Sequence, residues 1–304
     1  MLGTIETPPP WSQIMITKPG HQLHLLATMA ASVVFCMISH GANPVRPDDA
    51  FDGMPQDDAR HIQNRLPGIV IGPAKNVPLL ENAEDWWPLK ETTRTYGHGN
   101  DHAKSETVVI KRIARAPGST LEDPIDGWAL ELPGGTTRYL TTNDPYGIVS
   151  PSALNKSYSV IIELDPAEPI VHSGSRPGNP ARRKTKVDVY DVGNLKSTAY
   201  NGTVDCTWTD LGGWRVKVPM GEYDTRLIKV EYNGSVGPAS VDGSNYVFLA
   251  KGEGVIAYSD GRDISAFIIF NLDDQTGGVL KSVEGSKKSG PSKTRKPVNA
   301  LKKK

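Results

Sequence analysis

The sequence predicts an all-β protein, mainly a curved antiparallel meander sheet or half-barrel with few short helices. Short runs rich in Val, Ile, Tyr and Trp follow one another between residues 85 and 274. Glycine and proline, with 30 and 24 copies in 304 residues, separate these runs. No long segment of helical period stands between them, so strands that are neighbours in the sequence are expected to pair with each other.

Strand-sized runs fill the first half of this β domain. They cover residues 107–113, 128–132, 138–140 and 158–164, each bounded by Gly, Pro, Asp or Asn. Residues 172–184 are rich in Gly, Pro, Ser and Arg and have no strand period. Such a composition is typical of a long surface loop, which would divide the sheet into two halves.

The second half of the domain repeats the pattern. Its strand-sized runs are residues 187–190, 204–208, 214–218, 227–232, 246–249, 255–258 and 264–272. Dipeptides that tolerate positive φ predict tight hairpin turns, and they are Asn201-Gly202, Asn233-Gly234, Asp242-Gly243 and Asp260-Gly261. Pro219 lacks an amide donor and Gly221 permits a reversal, so one strand is expected to end there and the next to return alongside it.

Two motifs in this domain resemble a known group of proteins. Trp87-Pro88-Leu89-Lys90 is followed by Tyr96, and residues 216–225 read Val-Lys-Val-Pro-Met-Gly-Glu-Tyr-Asp-Thr. They are similar to the aromatic-Pro-Leu opening and the Val-Pro-x-Gly-x-aromatic turn of a loose group of uncharacterised secreted bacterial proteins. The resemblance implies a sheet that curves into an open half-barrel, similar to bacterial lipoprotein carriers.

Residues 1–42 have the order of a secretion signal. A short basic region around Lys18 precedes an apolar stretch over residues 23–38, and small residues follow it. We expect cleavage after Gly41 or Ala42, and a translation start at Met15 because a stiff proline run precedes that methionine. An uncleaved membrane anchor is the alternative, although crossing a bilayer takes ~20 apolar residues. The signal predicts an exported protein, periplasmic or extracellular.

The two segments that flank the β domain are expected to be less regular. Residues 43–84 are predicted to be a linker that partly packs on the domain, with one short helix around residues 57–65. Residues 275–304 are predicted to be a disordered basic tail. Its candidate anion-binding residues, for anionic lipid or an envelope polymer, are Lys287, Lys288, Lys293, Arg295 and Lys296. The tail has no interleaved aromatic residues, so nucleic acid is not an expected partner, and a merely solubilising role is the alternative.

Tryptophans are the candidate ligand-binding residues. Aromatic faces supply a large contact area to an apolar or glycan ligand, and the tryptophans chosen on that ground are Trp87, Trp128, Trp208 and Trp214. Packing in the core is the competing interpretation for each of them. Cys206 alternates with polar neighbours and has no nearby histidine, which favours a buried thiol over a nucleophile.

One short segment carries the residue types of a metal site. His98, Asp101 and His102 place two imidazoles and a carboxylate within five residues, and together they could bind a cation. A solvated hairpin loop is the alternative, because loop spacing does not fix ligand geometry as a helix does.

These features favour a non-enzymatic envelope protein that binds a ligand or a partner on its curved sheet, without a cofactor. One alternative is a structural or assembly protein whose acidic domain packs on another protein while the basic tail binds an anionic surface. Another is a metal-assisted hydrolase that uses His98, Asp101 and His102. The sequence makes no prediction of the oligomeric state.

Overall fold

A computed structural model describes the protein, and the residues that it describes form mostly antiparallel β structure. The structure describes residues 50–99, 104–114, 127–262 and 277–285. The predicted secretion signal, residues 264–272 and the basic tail beyond residue 285 lie outside these ranges. Within them, no helix is long and apolar enough to cross a membrane.

Two helices and thirteen strands make up the described fold. The helices are α1 (Gln56–Arg65) and α2 (Ala83–Trp86), and a 3-10 turn covers Pro133–Gly135. The strands are β1 (Val70–Pro73), β2 (Thr92–His98), β3 (Ser105–Ile113), β4 (Gly127–Glu131), β5 (Thr136–Asp144), β6 (Gly147–Asn155), β7 (Val160–His172), β8 (Ala181–Asp191), β9 (Tyr200–Val218), β10 (Gly221–Val236), β11 (Ala239–Ala250), β12 (Gly254–Arg262) and β13 (Gly277–Glu284).

Strands β2 to β13 form a closed meander. Each pairs with the next along the chain, and β13 returns to pair with β2, as in the partners Val279 and Gly97. Strand β1 adds to β9 outside this ring, where Val70 lies opposite Val216. The predicted all-β antiparallel fold is therefore confirmed, and its curvature exceeds that of an open half-barrel because the sheet closes on itself.

Strand β13 corrects the predicted boundary of the basic tail. Val279 and Leu280 are buried, and β13 lies between β12 and β2. Residues 277–284 were assigned to the tail because only three apolar residues, Val279, Leu280 and Val283, follow the two glycines. Strand β13 is stabilised by hydrogen bonds and side-chain contacts with strands on both sides. Its short apolar pattern alone does not predict a strand.

The four predicted hairpin dipeptides lie inside strands β9, β10, β11 and β12, so the turn prediction was wrong at those positions. The glycines have another purpose in β9 and β10. A Cβ at Gly202 would overlap the carbonyl oxygen of Ser235, and a Cβ at Gly234 would overlap that of Thr203. Glycine therefore permits a close approach of the two backbones within the sheet.

The hairpin between β9 and β10 is placed as the sequence predicted. Strand β9 ends at Val218, directly before Pro219, and Gly221 begins β10 opposite Val218. Gly221 has a φ of 141°, a conformation that L side chains rarely adopt. The proline and the glycine thus mark the strand end and the reversal.

Residues 50–87, which we call the strap, pack on the barrel: α1 lies on its outer face, and the backbone carbonyl oxygens of Val77 and Pro78 accept hydrogen bonds from the buried Arg226. Helix α1 lies over β10 to β12, where Asp58 accepts a hydrogen bond of 2.7 Å from the Tyr246 hydroxyl. His61 stacks on the same tyrosine ring and is 2.7 Å from Ser259 Oγ. The predicted helix is thus present, and the described part of the predicted linker is packed against the sheet.

Candidate functional site

The barrel wall opens between β7 and β8. Their ladder runs from the pair Val160 and Asp191 to the pair Asp165 and Lys186 and then stops. Beyond it, residues 166–172 pair only with β6, and residues 181–185 pair only with β9. We call this opening the β7–β8 split. One bond crosses it near its closed end, from Thr185 Oγ1 to the carbonyl oxygen of Pro166 at 3.3 Å.

Both edges of the split are unsuited to accepting another strand. Pro166 and Pro169 remove amide donors from the β7 edge, and Arg182 and Lys184 place exposed charges along β8. Prolines and charges are the usual devices that prevent edge-to-edge pairing. The split is therefore not expected to pair with an added strand. Any ligand that binds there would interact with the side chains on its inner face.

A charged network lies on the inner face behind the split. Arg138 of β5 donates to Glu168 Oε2 of β7 at 2.5 Å, and both side chains are buried. Arg138 Nε also donates to Ser150 Oγ at 3.2 Å, and Tyr232 donates its hydroxyl to Glu168 Oε1 at 3.2 Å. A buried ion pair is costly to desolvate, so these extra hydrogen bonds are needed to hold the charges there.

Two further acidic groups on the inner face stay protonated at neutral pH. Tyr232 and Cys206 lie opposite each other on β10 and β9. Burial, reinforced by the Glu168 carboxylate, raises the pKa of the Tyr232 hydroxyl and of the Cys206 thiol. The thiol is therefore a poor nucleophile, which agrees with the sequence interpretation.

A second cluster forms the rim of the split. The guanidinium of Arg183 lies 4.7 Å from the centre of the Tyr146 ring, which is 47% exposed. Arg183 Nη1 is 3.8 Å from Asp144 Oδ1, too far for a hydrogen bond. His172 at the end of β7 lies between the rings of Tyr146 and Trp208, with centres 5.6 and 5.4 Å away. The rim thus offers an open aromatic ring beside a loosely paired cation.

The rim and the inner network are continuous and rich in hydrogen-bond donors. Arg183 lies opposite Cys206, and both Arg138 and Arg183 contribute to the field at that thiol. Among the described residues, four buried side-chain nitrogen atoms of this region have no hydrogen-bond partner: Arg138 Nη1, Arg183 Nη1, Trp208 Nε1 and His172 Nδ1. Burial lowers the pKa of His172, so its imidazole is neutral at pH 7.

The four predicted ligand-binding tryptophans are dispersed. Trp87, Trp208 and Trp214 are buried, and Trp128 is half-buried with the guanidinium of Arg112 5.5 Å from its ring centre. Trp214 donates Nε1 to the carbonyl oxygen of Leu211 at 2.9 Å, a bond typical of a packed side chain. Of the four, Trp208 alone is in contact with the rim cluster.

The predicted metal-binding residues are only partly described. Asp101 and His102 lie outside the described residues, as do the predicted anion-binding residues of the tail. His98 Nε2 is 3.2 Å from Glu106 Oε1, and Tyr258 donates its hydroxyl to Glu106 Oε2 at 3.2 Å. Burial raises the pKa of Glu106, and the His98 charge opposes that shift. Within the described ranges no group of three His, Cys, Asp or Glu residues is placed to hold a metal ion.

Sequence reasoning missed the residues of the split. Arg138 stands in a predicted strand two residues before Leu140, and that spacing could have placed it on a buried face. Glu168 follows the predicted end of its strand, and Arg183 falls within the predicted loop. No local pattern indicates that these three residues meet, because β5, β7 and β8 bring them together.

Comparisons with known proteins found a small number of similar structures. No protein-family model and no curated protein matches this chain. One similar solved structure, from Bacteroides fragilis, is described provisionally as an exported protein with a YmcC-like fold; it is 14% identical, with a TM-score of 0.34, over 66% of this chain and 98% of its own. Another, from Parabacteroides distasonis, is described provisionally as a lipoprotein; it is 12% identical, with a TM-score of 0.34, over 69% of this chain and 100% of its own. The motif resemblance drawn from the sequence stays a prediction.

Proposed function

We propose that this chain is an exported, non-enzymatic envelope protein that binds an acidic sugar at the β7–β8 split. The observation that carries the proposal is the set of unpartnered buried donors, Arg138 Nη1, Arg183 Nη1 and Trp208 Nε1, behind one exposed aromatic ring. Buried donors require acceptors, so a ligand rich in oxygen atoms would complete the site.

The chemistry of the rim narrows the ligand class. Arg183 has a planar fork of donors that matches a carboxylate, and its contact with Asp144 is long. The exposed ring of Tyr146 offers a flat apolar surface of the kind on which a sugar ring can lie. Together they fit a carboxylate attached to a sugar better than an uncharged apolar molecule.

Support for export comes from residues 1–42, whose basic, apolar and small-residue order is that of a secretion signal. Support for a binding role comes from the protonation of the buried groups. The thiol of Cys206 is kept protonated by burial, and the neighbouring Arg138 and Glu168 are already paired with each other. The split therefore offers hydrogen bonds and charge, without an activated nucleophile.

Titration with glucuronate, with glucose as the uncharged control, tests the proposal. We expect glucuronate to raise the thermal unfolding midpoint and to change tryptophan fluorescence through Trp208. Arg183→Gln should weaken glucuronate binding about 10- to 100-fold, because a charge-assisted hydrogen bond is lost. Arg182→Gln is the matched control, since Arg182 precedes Arg183 on β8 and is exposed on the outer face.

Two results would contradict the proposal. If glucose bound as tightly as glucuronate, the arginines would not be recognising a carboxylate. Equal weakening by Arg182→Gln and Arg183→Gln would show that general surface charge, and not the split, attracts the ligand.

The assembly role of the acidic domain and the basic tail, and the metal-assisted hydrolase, stay predictions. The tail role predicts that deleting residues 287–304 abolishes retention on the envelope at low salt. The hydrolase role predicts stoichiometric metal that His98→Ala removes.

A further inference from the structure

Exposed large apolar side chains gather at the barrel end opposite the split. Tyr158 follows β6, Val192 follows β8, and Tyr200 begins β9, so all three lie at one rim. Their exposed fractions are 62%, 45% and 52%, among the highest of the large apolar residues described. Exposed aromatic and aliphatic side chains that share one rim are typical of a contact surface.

The turns that carry these side chains are held to one another. The amide of Val192 donates to the carbonyl oxygen of Ser159 at 2.9 Å, which joins the turn after β6 to the turn after β8. The ring of Tyr200 lies so close to Gly237 that a Cβ there would overlap it. A contact surface made of turns fixed in this way loses little conformational freedom on binding.

Two lysines stand near these side chains in the same turns. Lys156 and Lys196 are exposed and make no ion pair with the described residues. The nearby Asp191 uses its carboxylate to accept a hydrogen bond from the amide of Gly193 at 2.7 Å. The rim therefore combines apolar side chains, tyrosine hydroxyls and two lysines with a single neighbouring carboxylate, that of Asp191.

We propose that this rim, defined by Tyr158, Val192, Tyr200, Lys156 and Lys196, docks on the surface of an anionic lipid bilayer. Tyrosines partition to the boundary between headgroups and acyl chains, with the ring in the apolar layer and the hydroxyl in water. Lysines at the same depth reach anionic headgroups. A protein partner would be expected to place carboxylates opposite both lysines, and it is the alternative that the experiment excludes.

Vesicle binding of the full chain tests the docking surface. Vesicles of phosphatidylglycerol and phosphatidylcholine are compared with vesicles of phosphatidylcholine alone, in flotation at low salt. Lys156→Gln with Lys196→Gln should reduce the partition coefficient on the anionic vesicles roughly 30-fold, since each lysine near a charged surface contributes about fivefold. The matched control is Lys217→Gln with Lys251→Gln, which removes two positive charges at the opposite end, next to the β9–β10 and β11–β12 hairpins.

A second measurement separates this rim from the basic tail, which both variants retain. Tyr158→Trp should be quenched by brominated acyl chains when the protein is bound, whereas Met220→Trp should not. Equal quenching at the two positions, or equal loss of binding in the lysine and control variants, would overturn the proposal. So would a full chain that does not float with the anionic vesicles.

Discussion

Two strand pairs of the barrel differ in how far their hydrogen-bonded ladders extend. We call the line along which two neighbouring strands pair a seam, and we compare the β9–β10 seam with the β7–β8 seam. The β9–β10 seam is paired from Gly221 and Val218 to Val236 and Gly202, with one irregularity between Arg226 and Ile228 and with glycines at two positions where a Cβ would overlap the neighbouring backbone. The β7–β8 seam is paired over only part of its length and has charged residues behind the remainder. Strands β9 and β10 are therefore joined along almost their whole length, whereas β7 and β8 are joined only near one end.

The largest expected effect comes from the ion pair behind the split. Glu168→Ala leaves the buried guanidinium of Arg138 without its carboxylate and should lower the free energy of unfolding by about 3 to 5 kcal/mol. Urea unfolding measures the change. The matched variant Arg138→Met with Glu168→Leu removes both charges and should recover most of the loss. A double variant as unstable as Glu168→Ala would mean that the pair itself, and not the orphaned charge, stabilises this region.

A smaller loss of unfolding free energy is expected from a substitution in the β9–β10 seam. Gly234→Ala introduces a Cβ that overlaps the carbonyl oxygen of Thr203, which should cost about 1 to 3 kcal/mol of unfolding free energy. Gly72→Ala is the control, because a Cβ at Gly72 in β1 has nothing within 4 Å. Equal urea midpoints for the two variants would contradict the close approach of β9 and β10.

A still smaller loss of unfolding free energy is expected from a substitution at the closed end of the split. Thr185→Val removes the bond to the carbonyl oxygen of Pro166 and keeps the side-chain shape, so unfolding free energy should fall by about 0.5 to 1.5 kcal/mol. Hydrogen exchange of the amides in residues 186–191 should then accelerate, while exchange in β10 stays unchanged. Uniform acceleration across both seams would show that the bond supports the whole barrel and not the split.

An effect confined to acidic pH is expected at helix α1 of the strap, on the outer side of the wall formed by β10 to β12. Burial lowers the pKa of His61 from 6.5 to about 4, with Arg65 and Lys229 acting in the same direction and Asp58 opposing them. As the pH falls, His61 is therefore protonated in the unfolded chain at a higher pH than in the folded protein. The contribution of His61 is fully present above pH 6.5 and is lost as pH falls towards about 4. Urea midpoints at pH 7.5 and 4.5 should differ less in His61→Gln than in the wild type, and identical differences would contradict the shift.

The sequence could predict the fold class because each strand carries its own local pattern. Turn chemistry identified the reversal at Pro219 and Gly221, where one proline and one glycine suffice. The same reasoning failed at Asn201-Gly202 and Asn233-Gly234, since glycine serves a turn and a close backbone contact equally well. Which of the two applies depends on a neighbouring strand that local sequence does not describe.

The candidate site could not be predicted, because its residues meet only through register. Arg138 and Glu168 stand 30 positions apart, on strands that are separated by β6. Residue type predicts the tryptophans as binding residues, but it does not distinguish Trp214, which packs in the core, from Trp208, which is equally buried and also contacts His172 of the rim.

Closure of the ring through β13 and β2 has a consequence for the order of assembly. The two partners are separated by most of the domain, so the last ladder cannot form until synthesis has passed residue 284. Until that moment, the growing sheet presents two free edges to its surroundings, a state in which strands of separate molecules can pair. Aggregation with other copies of this chain is therefore most favoured just before β13 pairs with β2.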